Sequence, residues 1–161
     1  MPVSYLQQPY LLRASKTFTG AANLGATGVN ELFTTTGAVR IEAFHVRCTS
    51  DMVDAVDGAL FRIGVSGDDD CFSGVTFEGV FDLDTLDAGD ALDHDNGVTD
   101  GVGSNMTQPN VASGVGAIIV DNIIMTISTQ AITGGVLEFY VLYRPLSADG
   151  NLAIGAGMVA I

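Results

Sequence analysis

The chain is 161 residues long, 47% hydrophobic and 16% charged, with 20 glycines, no tryptophan and a formal charge of −13. That length suffices for one domain burying about 70% of the surface its unfolded chain exposes, and the composition excludes both the charge-rich signature of disorder and that of a helical bundle. Nineteen acidic residues against six basic ones repel phosphate backbones and anionic headgroups within a Debye length, which argues against nucleic acid as a partner.

Along the chain, Met1-Pro2-Val3-Ser4 lacks a basic region followed by an apolar one, and no stretch approaches the roughly 18 apolar residues of a membrane span. Neither a signal peptide nor a membrane partner is expected. Tyr5, Leu6, Tyr10, Leu11 and Leu12 surround Gln7-Gln8-Pro9 and predict an extended, apolar arm over residues 1–12 whose side chains need a surface to cover them. Short strands are expected at Leu12–Phe18 and Glu31–Thr35. From Val39 to Cys48 the apolar residues change parity, Val39 and Ile41 on one side and Phe44, Val46 and Cys48 on the other. A bulge near Ala43 reconciles them, and so does a strand buried on both faces, against its own core and against a neighbouring subunit.

Period-two alternation then recurs with Ala59, Phe61, Ile63 and Val65, and again with Val75, Phe77, Phe81 and Leu83. Residues 84–113 are rich in Asp, Gly and Asn and form an acidic loop region. Beyond it come Ala117–Val120, a turn or break at Asp121-Asn122, and strands marked by Ile123, Met125 and Ile127 and by Leu137, Phe139, Val141 and Tyr143. Gly134-Gly135 reads as a tight connection that makes these last two strands antiparallel neighbours. After a turn at Leu146–Asn151, the apolar segment 152–161 is expected to pack, either as a final strand on its own sheet or against another chain. No window carries a capped 3.6-residue stripe. The fold class expected is therefore all-β, an antiparallel β-sandwich of jelly-roll type in one domain, residues 13–161, preceded by the arm.

Little chemistry is legible. Asp82, Asp84, Asp87, Asp93 and Asp95 are the densest hard-oxygen ligands and the candidates for calcium, but Asp93-His94-Asp95-Asn96-Gly97 fails the EF-hand pattern: its glycine falls at the fifth position, and Ser104 stands where the closing glutamate belongs. Solvated acidic loops are the plainer reading, so no metal and no cofactor is expected. Cys48 and Cys71 match no metal or redox spacing and read as buried free thiols. His45 and His94 have no second ligand in a zinc spacing, and Gly64-Val65-Ser66-Gly67 is a strand-ending turn, not a nucleophile elbow. Paired carboxylates for glycoside chemistry are not excluded by sequence, yet the aromatic platforms of a sugar site are scarce. Arg13, Arg40, Arg47, Arg62 and Arg144 are scattered among strands, placed to pair with nearby acids or with an acidic neighbour across an interface.

The apolar arm, the Gly/Thr-rich β-domain and the run Gly134-Gly135-Val136-Leu137-Glu138-Phe139-Tyr140-Val141-Leu142-Tyr143-Arg144-Pro145 resemble virion structural proteins of tailed bacteriophages, most of all small capsid decoration, or cement, proteins. The resemblance implies a non-enzymatic, jelly-roll-like and commonly trimeric protein. It would sit on the outside of the virion capsid at junctions between capsomers, with the major capsid protein as partner and Tyr5, Leu6, Tyr10, Leu11 and Leu12 as capsid or subunit interface. The alternatives are another virion component, such as a head fibre, tail or minor capsid protein, or a carbohydrate-binding or glycoside-cleaving β-sandwich.

Overall fold

Strands form wherever apolar and polar residues alternate. The computed structural model describes residues 8–56, 58–69, 71–72, 81–82, 87–92 and 117–161, with Phe81, Asp82 and Leu92 described by their backbone alone. Its strands are β1 (Tyr10–Thr17), β2 (Gly28–Thr36), β3 (Val39–Asp54), β4 (Leu60–Val65), β5 (Phe81–Asp82), β6 (Ala91–Leu92), β7 (Ala117–Ile119), β8 (Ile123–Ser128), β9 (Ile132–Pro145), β10 (Asn151–Ile154) and β11 (Val159–Ala160). Among the described residues there is no helix.

Two antiparallel sheets result. The first runs β11-β1-β9-β3, and the far edge of β3 pairs with β7 at Val39–Ile41 and with β6 at Val46–Arg47. The second runs β10-β2-β8-β4-β5. Their apolar faces share one core: Phe33 of β2 meets Phe44 of β3 and Phe139 of β9 edge-on, at centroid distances of 6.5 and 6.4 Å. Phe44 in turn stacks on Phe72 at 5.2 Å. Such ring pairs add about 0.5–1.5 kcal/mol each beyond the area they bury.

In β3 the register slips between Ile41 and Ala43, the site where the parity change requires a bulge. Val39, Ile41, Phe44, Val46 and Cys48 are all buried, while His45 and Arg47 are exposed. Within one chain the strand is therefore buried on one face, and the bulge accounts for its change of parity.

Three expectations need correction. First, β8 and β9 are not neighbours: β8 lies between β2 and β4 in the second sheet, and β9 between β1 and β3 in the first. Each strand has an apolar face that must meet the opposite sheet, so the chain changes layer at residues 129–131, where Thr129 adopts φ 69°. Gly134-Gly135 lies inside β9. Gly135 takes φ 101° where β3 is irregular between Ser50 and Val53, and a Cβ there would stand 2.8 Å from the Asp51 carbonyl oxygen.

Second, the boundary between arm and domain at residue 12 falls inside a strand, because Tyr10, Leu11 and Leu12 already pair with Tyr143, Leu142 and Val141. The inward parity of Ala14 and Lys16 extends back through them. Third, the apolar C-terminal segment is divided between the two sheets: β10 pairs with β2 and buries Leu152, and β11 pairs with β1. Of the strand expected around Val75–Leu83, only β5 is among the described residues, pairing with Leu60 and Phe61. The acidic region 84–113 lies outside them except at 87–92.

Candidate functional site

The outward face of the first sheet gathers most of the chain's positive charge. Because Leu137, Phe139, Val141 and Tyr143 of β9 turn inward, Glu138, Tyr140, Leu142 and Arg144 turn outward. Cross-strand pairing then sets three successive rows. Arg40 lies between Arg144 and Ile118; Leu142 lies between Leu11 and Ala43; Tyr140 lies between Arg13 and His45. A fourth row places Glu138 between Ser15 and Arg47. An apolar row thus separates basic ones, and four of the five arginines share the face.

These arginines differ in what holds them. The Arg144 guanidinium donates to both oxygens of Glu42, at 2.8 and 3.4 Å. Arg13 lies 5.2 Å over the Tyr140 ring, whose hydroxyl donates to Glu138. The Arg40 Nε is buried without a hydrogen-bond partner among the described residues. Among those residues Arg13 and Arg47 have no carboxylate partner, and both are exposed. Arg62, on the second sheet, approaches Asp69 at 3.9 Å.

Of the expected interface residues, Tyr5 and Leu6 lie outside the described residues. Tyr10 is 50% and Leu11 60% exposed at the start of β1. Their side chains point in opposite directions: Leu11 outward beside Leu142, Tyr10 onto the rim of the core, stacked on Tyr143 at 5.7 Å. Leu12 packs partly against the core.

Of the calcium candidates, Asp84, Asp93 and Asp95 lie outside the described residues, and Asp82 is described only as backbone in β5. Asp87 is exposed, and its backbone N–H donates to the Asp90 carboxylate at 3.0 Å. Among the described residues no three His, Cys, Asp or Glu side chains are grouped to hold a metal ion. His94 is outside the described residues, and His45 faces outward beside Tyr140. Cys48 is buried and Cys71 half-buried. Burial pushes the Cys48 thiol pKa up, and the nearby Asp90, Asp51 and Asp87 add to the rise against a hydrogen bond to the Ser50 carbonyl. Among the described residues no helix is long and apolar enough to cross a membrane.

Two features escape a linear reading. Lys16, the only lysine, is wholly buried and donates to the Glu31 carbonyl at 3.1 Å and the Ala156 carbonyl at 3.5 Å. Its parity with Ala14 and Phe18 is the signal that places it inside. The grouping of four arginines depends on which strands pair, which no local pattern encodes.

Comparison with family models, with curated proteins and with solved structures returned no match.

Proposed function

We propose that this chain is a structural virion protein that binds the outer surface of a tailed-phage capsid through the major capsid protein and stabilises the shell, working as a homotrimer. The observation that carries this reading is the start of β1. There Tyr10 and Leu11 are half or more exposed, directly after a segment holding Tyr5 and Leu6. Exposed apolar side chains at the start of a strand, next to an apolar stretch of sequence, call for cover by another surface. The Arg- and Tyr-bearing outer face that adjoins them has the composition enriched in protein interfaces.

The strand order supports the jelly-roll part of the reading. An eight-stranded hairpin wound into two layers sets strands 1, 8, 3 and 6 against strands 2, 7, 4 and 5. Counting β6 and β7, which share the edge of β3, as one position, the order β1-β9-β3-β6 opposite β2-β8-β4-β5 follows that rule. The cement mechanism is binding energy: each copy buries apolar area against more than one shell subunit, and many copies multiply a modest contact.

The test mixes purified empty shells with the whole chain and with a chain lacking residues 1–9, a cut that leaves every rung of β1 in place. The whole chain is expected to cosediment with shells, and the shortened one to stay folded and unbound. Shells that ignore the whole chain end the reading, and equal binding of both forms removes the N-terminal segment as the clamp.

A further inference from the structure

We infer that the outer face of the first sheet seats a second copy of this chain in a head-to-tail contact, its arginines receiving the neighbour's Asp51, Asp87 and Asp90.

Charge complementarity selects the occupant. Residues 51–100 hold fourteen acids and one base, Arg62, and so carry the whole net charge of −13; the rest of the chain is balanced. Within that balanced part the outer face concentrates four arginines against Glu42 and Glu138, an excess of two positive charges. Asp51, Asp87 and Asp90 are brought together beside the stretch of β3 that follows Arg47. The Asp51 carboxylate accepts from the Ala88 N–H at 2.8 Å, and the Asp90 carbonyl accepts from the Cys48 N–H at 2.8 Å. Asp51 and Asp87 are exposed and Asp90 is partly so.

Symmetry selects the geometry. A two-fold axis through the centre of this face would set arginines against arginines, whereas a head-to-tail contact lays the acidic edge of one copy on the basic face of the next and closes into a ring when the rotation allows. The row formed by Leu11, Leu142 and Ala43 places apolar area at the centre of the contact, with the charged rows on either side supplying orientation and association rate. The contact would supply the self-association of the proposed homotrimer, but it does not depend on capsid binding.

Sedimentation velocity on the purified whole chain tests it, at about 0.1 M and about 1 M salt, where the Debye length is about 10 and about 3 Å. Two variants are compared with the parent: Arg13→Glu combined with Arg47→Glu, and Asp87→Arg. None of these three side chains makes an ion pair among the described residues, and circular dichroism establishes that each variant is folded. The parent is expected to associate at low salt and revert to monomer at high salt. Each variant alone should associate about tenfold or more weakly, and an equimolar mixture of the two should regain association, since each restores the partner charge the other needs. A parent monomeric at low salt overturns the inference, as does association that survives the arginine reversals or a mixture no stronger than its components. Should the monomeric parent bind poly-L-glutamate through these arginines, the face belongs to a different acidic protein and the self-contact is again overturned. Shell binding is read separately: a monomeric parent that still cosediments with shells loses the self-contact and the trimer but keeps the capsid reading, and a parent that associates but ignores shells loses the capsid reading alone.

Discussion

Lys16 is the one basic residue wholly inside the protein, and burial lowers its pKa from 10.5 to about 8, with the charge of Glu31 opposing the shift. Between those values the unfolded chain binds the proton more readily than the folded one, so stability from this group rises with pH across the window; the penalty is complete below it and gone above it. Replacing Lys16 with Met removes the titration. Its stability relative to the parent should fall by on the order of 2 kcal/mol between pH 7 and pH 10, read from urea midpoints, and parallel profiles for the two proteins would refute the coupling. Gly135 makes a second test at this scale. Gly135→Ala forces a left-handed residue and a Cβ near the Asp51 carbonyl, whereas Gly28→Ala at φ 100° has open space around it. The first should cost about 2–3 kcal/mol and the second about 1 kcal/mol; equal losses would mean the close approach is relieved. Alternation predicts which residues turn inward, but nothing local says that an inward lysine finds two carbonyls, or that a Gly-Gly pair answers an irregular neighbouring strand.

At the scale of elements, legibility follows the strength of the alternation. The parity change in β3 announces its bulge, and the inward residues of β4, β8 and β9 are those that read as apolar in sequence. Pairing is less legible, because both sheets are built from strands distant along the chain. That is why β8 and β9, consecutive and similar in pattern, read as neighbours yet stand in opposite layers. The two C-terminal strands differ in weight. β11 pairs through only two residues, with Val159 66% exposed, whereas β10 buries Leu152 and adds four rungs beside β2. Ending the chain at Met158 should therefore cost no more than about 1 kcal/mol, while Leu152→Ala should cost about 2–5 kcal/mol. Thermal or urea unfolding of the two variants measures the difference, and a truncation as costly as the core substitution would show that β11 closes the first sheet.

For the whole molecule, the concentration of net charge in residues 51–100 opposes folding through repulsion that salt screens. The described acids show little internal neutralisation: Asp69 approaches Arg62, but Asp51, Asp87 and Asp90 have no cationic partner among the described residues. Raising salt from about 0.01 M to about 0.1 M shortens the Debye length from about 30 to about 10 Å, within the span of a small domain. The folded state should gain on the order of 1 kcal/mol over that range. The monomer must be followed by working at dilution, because the head-to-tail contact responds to salt in the opposite sense. Screening stabilises each copy against its own acids while weakening the grip of its arginines on the next copy's acids. Urea midpoints at two protein concentrations separate the effects: at high dilution stability should rise with salt, and at high concentration part of that rise should be lost. A midpoint indifferent to salt at dilution would mean that the acidic third is already neutralised within the fold, leaving no charge excess for a neighbour's basic face to meet.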